Sequence, residues 1–227
     1  MTDNLGETID NYKNQLGKYH TILTTEGKWD RSELFSEAVM NEHKTKFIAA
    51  KKAKDWRAVV EVLLSLRVNA LQISPELRKN LVYELIRNDI FLLQTKYKNN
   101  FLLDLLKVQK LKHALLALIS VIVSTLKGAE YITSIDQTIV EKVIEILEEE
   151  DDGSVNQRFW IAILQKISIK EDTVPFLVKK GMIAWIIQLV GRSLKGEIHV
   201  FSLDFASALL ANILHAKTTA DQLCSDK

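Results

Sequence analysis

Ala117-Leu118-Ile119-Ser120-Val121-Ile122 is the stretch that decides how the chain reads, because its pattern returns twice. Ile163-Leu164-Gln165-Lys166-Ile167-Ser168 repeats it, and Leu209-Leu210-Ala211-Asn212-Ile213-Leu214 repeats it again. The fourth positions, Ser120, Lys166 and Asn212, stand 46 residues apart each time. Around the first copy the sequence predicts a long helix over 108–127 that stops at Gly128. The centre of that helix, 114–123, is apolar nearly all round, so it needs cover on several sides. Further helices are expected near 136–150, 156–169, 172–180, 182–195 and 203–216. The breaks between them fall at Asp151-Asp152-Gly153, Glu171-Asp172, Gly181 and Gly196.

A period of about 40–47 residues with two or three helices per unit is the armadillo and HEAT range. One such unit cannot bury its apolar faces alone, so units stack and touch only their neighbours. The expected fold is therefore all-α, an armadillo/HEAT-like right-handed superhelical solenoid of stacked repeats. The last unit fits best. Gly181 permits a sharp corner, and the small side chains of Ala206, Ala208 and Ala211 suit close helix approach.

Upstream, the start signals are chemical. Ser32 and Asp55 are placed to cap helices, the second carrying Trp56, Val59, Val60, Leu63 and Leu66 on one face. Ser74-Pro75 pairs a capping hydroxyl with proline at the first helical position. Asn88-Asp89 ends that helix. Residues 1–31 read as an N-terminal arm, in which Leu5, Ile9, Tyr12 and Leu16 fall at helical spacing. The repeat domain is expected over 32–227.

Composition narrows the function classes. Apolar residues are 47% of the chain, and two prolines and eight glycines are too few for a turn-rich sheet fold. Thirty basic and 29 acidic residues give a net charge of +1, no basis for nucleic-acid binding. One cysteine, Cys224, allows no internal disulfide, and 1–10 has no apolar signal-peptide core. The apolar run 114–126 is shorter than the roughly 20 residues that span a bilayer. These features lead us to expect a cytoplasmic protein without membrane insertion. No phosphate-binding glycine loop, Cys-x-x-Cys or Gly-x-Ser-x-Gly occurs, and the five histidines lack metal-ligand spacing. No catalytic residue, metal or cofactor is expected.

Two long stretches carry a closer likeness. Phe159-Trp160-Ile161-Ala162-Ile163-Leu164-Gln165-Lys166-Ile167-Ser168 is followed by Gly181-Met182-Ile183-Ala184-Trp185. Arg87-Asn88-Asp89-Ile90-Phe91-Leu92 and Leu203-Asp204-Phe205-Ala206-Ser207-Ala208 support it. Together they resemble the C-terminal armadillo region of the armadillo-repeat-containing protein nine family, over roughly residues 50–224. The resemblance implies a ciliary and basal-body scaffold of the cytoskeleton. That family usually carries an N-terminal LisH motif and a coiled coil, and neither is visible here, so the dimerisation they drive is not carried over.

Candidate binding residues follow from the repeat. In armadillo solenoids the third helix of each unit lines a groove, and peptide-carrying members place asparagines there. The matching positions here are Ser120, Lys166 and Asn212. Asn212 reads equally as a residue that packs or caps its own helix, and Lys166 favours an acidic ligand. The basic stretch Lys44, Lys46, Lys51, Lys52, Lys54 and Arg57 is either a solvated helix face or a contact for an acidic partner such as a tubulin tail. Trp29, between Lys28 and Asp30, is a candidate partner anchor, whereas Trp160 and Trp185 suit the core. Two functions stand: a scaffold for axonemal or ciliary-tip proteins, and an adaptor that takes an extended peptide in its groove.

Overall fold

The computed structural model describes residues 36–94, 101–133, 138–193, 196 and 198–216, and every regular element among them is helical. The first three helices are α1 (Glu37–Ala53), α2 (Trp56–Leu71) and α3 (Pro75–Arg87). A short α4 (Phe101–Leu106) precedes α5 (Lys112–Ile122), α6 (Leu126–Thr133), α7 (Thr138–Glu148) and α8 (Val155–Ile167). The chain continues with α9 (Val174–Lys179), α10 (Met182–Ser193) and α11 (Val200–His215). Ser32 and Trp29 lie outside the described residues, as do positions 1–31 of the expected arm.

Side-chain caps fix where helices begin. Ser36 accepts from the Val39 amide and starts α1, Asp55 accepts from Ala58 and starts α2, and Ser74 accepts from Leu77 ahead of Pro75 in α3. Each cap satisfies an otherwise orphaned amide and contributes about 1 kcal/mol. Ser154 does the same for α8 through the Gln157 amide. Glycines end the turns where φ is positive: Gly153, Gly181 and Gly196 all stand near +75°. At Gly181 the chain bends by 72° between the 171–179 helical stretch and α10.

The helix expected over 108–127 is two helices. A 3-10 turn at Gln109–Leu111 leads into α5, which ends at Ile122. Ser124 and Thr125 hydroxyls donate back to the carbonyls of Val121 and Ile122, and Thr125 Oγ1 then accepts the Gly128 amide at 3.0 Å. Those local bonds compete with the helix ladder and break it. Gly128 does not stop a helix. It sits inside α6, where an added Cβ would lie 1.7 Å from the Ile122 carbonyl oxygen. Glycine is needed there because α6 starts hard against the end of α5.

One row of helices organises the packing: α2 lies against α5, α5 against α8, and α8 against α11. The others flank this row, with α1 and α3 on α2, α6 and α7 on α8, and α9 and α10 on α11. One continuous apolar core follows it from Met40 to Ala216. Trp160, Leu63, Leu66, Leu115 and Ile163 are fully buried in it, each contributing roughly 1.5–3 kcal/mol of transfer free energy. Trp185 packs on the core while partly accessible. Of the three alanines expected at close helix contacts, Ala206 is buried, Ala208 is half-buried and Ala211 is exposed.

Two buried polar clusters interrupt the core. Asp89 accepts from the amides of Leu93 and Gln94 and from the Tyr131 hydroxyl, which itself accepts from the Phe91 amide. These bonds pair the amides of Phe91, Leu93 and Gln94, which the irregular turn after α3 takes out of the helix ladder. Burial, then the neighbouring Asp89 carboxylate, raise the Tyr131 pKa far above that of a free phenol. The second cluster is the Lys112–Glu150 ion pair at 2.7 Å, with side chains 11% and 8% exposed.

Candidate partner-binding surface

α5 is covered almost all round: of its eleven residues only His113 and Ser120 keep access to solvent. The two are seven residues apart, so they share one helix face. On α8 the accessible line is Val155, Phe159, Ala162 and Lys166. On α11 it is Phe201, Phe205, Ala208 and Asn212. Corresponding positions are again 46 residues apart: 113, 159 and 205, then 120, 166 and 212, then 155 and 201. The three core-row helices therefore present equivalent lines of side chains.

Contacts join part of this surface. The His113 ring stands edge-on to Phe159 at 5.5 Å, and the Arg67 guanidinium lies 5.6 Å from the same ring. Arg67 is itself 46 residues before His113, so α2 contributes the equivalent position. Burial pulls the Arg67 pKa down, but an arginine remains cationic in proteins. His113 Nδ1 is also 3.3 Å from Asn156 Oδ1. Phe201 is 56% exposed, and Val155 is 45% exposed at the matching place on α8.

The three positions expected to line a groove, Ser120, Lys166 and Asn212, have different circumstances. Ser120 donates its hydroxyl to Ala117 O at 2.8 Å, within its own helix. Asn212 donates its amide to Gln165 O at 3.1 Å and to Ser168 Oγ at 2.9 Å. That places Asn212 between α11 and the end of α8, with its donors bound to the protein. Lys166 is half-buried and takes no part in the ion pairs among the described residues.

The basic stretch does not form one open patch. Lys44 donates to Asn88 O at 2.5 Å, Lys46 pairs with Glu42, and Arg57 pairs with Glu61. Lys51 pairs with Asp104 and also lies over the Phe101 ring at 4.5 Å. Lys52 and Lys54 are exposed at the C-terminal end of α1. Among the described residues no group of three His, Cys, Asp or Glu side chains could hold a metal ion, and no single helix is long and apolar enough to cross a membrane.

Phe201, Phe205, His113 and Arg67 are absent from a groove read by asparagine position alone. Their signal is the same 46-residue step, which joins Arg67, His113 and Phe205 through Phe159, and Phe201 to Val155. It is concealed because the residue types along it differ. Compared with protein-family models, with curated proteins and with solved structures, the chain matches none.

Proposed function

We propose that this protein is a non-enzymatic scaffold of stacked armadillo-type units that holds a protein partner along the shared open face of α5, α8 and α11. The observation that carries this reading is the line Arg67, His113, Phe159 and Phe205, with one residue from each row helix at a constant 46-residue step. Aromatic rings flanked by a guanidinium are typical anchors of protein interfaces. The most deeply buried ionisable groups, Asp89, Tyr131, Lys112 and Glu150, are held in structural clusters, which suits a scaffold. The resemblance to the armadillo-repeat-containing protein nine family supplies the setting: cilia and basal bodies, with axonemal or tip proteins as partners. Tubulin contact through the basic stretch has less support, since Lys52 and Lys54 alone of its six cations are both exposed and outside the ion pairs and hydrogen bonds among the described residues.

A second reading, an adaptor for an extended peptide, is favoured by the same constant step, because a linear segment reaches successive repeats. It does not use an asparagine ladder, as the Asn212 amide donates to α8. Its ligand contacts are Lys166 and the aromatic side chains.

The test is the position of the tagged protein in a ciliated cell, with and without Phe201→Glu plus Lys166→Glu. Wild type concentrated at the basal body or axoneme and lost from it in the double variant supports the proposal, given melting temperatures within about 3 °C of each other. A diffuse wild type rejects the ciliary setting. A double variant that still concentrates there rejects the open face as the contact.

A further inference from the structure

We infer that the partner held on the open face is an acidic protein segment, whose carboxylates pair with Arg67, Arg158 and Lys166. This rests on the reading above, in which the open face of α5, α8 and α11 is the contact surface. Elsewhere among the described residues the half-buried lysines and arginines reach acceptors. Lys51, Lys180 and Arg192 meet Asp104, Glu141 and Asp152, and the buried Lys112 meets Glu150. Lys44 and Arg78 donate to the carbonyls of Asn88 and Ala70. Arg67, Arg158 and Lys166 are half-buried too, but among the described residues their side chains take part in no ion pair or hydrogen bond. The Arg67 guanidinium has the Phe159 ring, 5.6 Å away. Burial lowers its pKa, with no carboxylate acting against the shift. Arg158 Nε is shut off from solvent without a hydrogen-bond partner among the described residues.

The three cations gather along α8. Arg67 reaches Phe159, and Arg158 precedes that ring and stands one turn before Ala162, at the edge of the accessible line. Lys166 follows Phe159 on the same helix face, about 10 Å further along the axis. The accessible lines of α5, α8 and α11 contain no carboxylate. Asp204, exposed on α11 at the place that matches Arg158, forms no ion pair with any of the three. A cation held partly out of water without a counter-ion is destabilised, so three of them on one surface favour an anion that arrives from outside. A guanidinium presents a planar fork that fits a carboxylate through two parallel hydrogen bonds. Phe159 and Phe205 beside the cations offer stacking partners to aromatic side chains. The segment they suit is therefore acidic, with aromatic residues interspersed. Lys52 and Lys54, exposed on α1, lie in water and do not call for such a partner.

Fluorescence anisotropy on the full chain decides the matter. The probes are a fluorescein-labelled peptide of alternating Glu and Tyr, and a second in which Gln replaces each Glu. The Glu-Tyr peptide should bind at least about tenfold more tightly than the Gln-Tyr peptide, by a margin that shrinks with salt. Arg67→Gln with Arg158→Gln and Lys166→Gln should weaken Glu-Tyr binding at least about tenfold and leave Gln-Tyr binding unchanged. Lys52→Gln with Lys54→Gln should leave both within about twofold of wild type. If the triple variant melts lower than wild type, Lys166→Gln alone, about threefold weaker, takes its place. Equal weakening in the variant at Lys52 and Lys54, or a triple variant that binds like wild type, overturns the proposal. Single-stranded oligouridylate bound more tightly than the Glu-Tyr peptide, and lost in the triple variant, overturns it in favour of nucleic acid. No binding of either peptide overturns it as well, and the position of the tagged protein then judges the open face separately. Equal binding of the two peptides, with both lost in Phe205→Glu, overturns the acidic partner alone and leaves the open face standing.

Discussion

The Tyr131 hydroxyl donates to Asp89 Oδ1 at 2.8 Å, across 42 residues of chain, and both side chains are buried. The bond ties α6 to the turn that follows α3. Tyr131→Phe leaves a buried carboxylate and the Phe91 amide short of a partner, and should cost about 1–3 kcal/mol in urea unfolding. The same bond sets an alkaline limit. The folded pKa of Tyr131 is raised above its unfolded value near 10, so its contribution is complete below pH 10 and is lost as pH rises beyond it. The slope is about 1.4 kcal/mol per pH unit. Unfolding curves at pH 9 and 11 should show a smaller loss in Tyr131→Phe than in wild type.

Gly128 and Gly191 make a matched pair. Both lie within helices, but a Cβ at 128 meets the Ile122 carbonyl while nothing lies within 4 Å of one at 191. Gly128→Ala should destabilise by about 3 kcal/mol through overpacking. Gly191→Ala should stabilise by about 0.5–1 kcal/mol through helix propensity. Thermal melts of the two variants should move in opposite directions.

Lys112→Ala removes one half of a buried ion pair and leaves the Glu150 carboxylate uncompensated. A loss of about 3–5 kcal/mol is expected. Adding Glu150→Gln to that variant should restore part of it. A double variant no more stable than Lys112→Ala would show that the pair is not the source of the loss.

Asn212→Ala tests a structural role directly. Without its amide, Gln165 O and Ser168 Oγ each lose a donor, and stability should fall by about 1–2 kcal/mol. Phe201→Ala, at an exposed position, should change stability by less than about 0.5 kcal/mol. Denaturant midpoints separate the two.

Much of the helix pattern was legible in advance because its signals are short-range. Asp55, Ser74-Pro75, Gly153, Gly181 and Gly196 act on their own neighbours, and the structure uses each as its local chemistry requires. Gly128 was misread for a physical reason. A glycine that ends a helix and one that admits a neighbouring backbone look alike in one dimension, and only the approach of Ile122 separates them. The preceding Ser124-Thr125 pair held the real break signal. Asp89 was legible as a helix end but not as a buried acceptor, since its partner lies 42 residues away. Ser120, Lys166 and Asn212 stand at equal steps in the sequence, yet what each side chain bonds to depends on contacts that spacing does not carry.

The 46-residue step also governs which lengths of chain are interchangeable. Removing residues 160–205 joins Phe159 to Ala206, so the first part of α8 runs on into the last part of α11 with the outward and inward positions preserved. Taking out two residues fewer rotates the downstream half by about 200°, close to half a turn, and sets Leu209 and Ile213 in solvent. Circular dichroism melts of the two shortened chains should show a cooperative transition only for the full 46-residue excision.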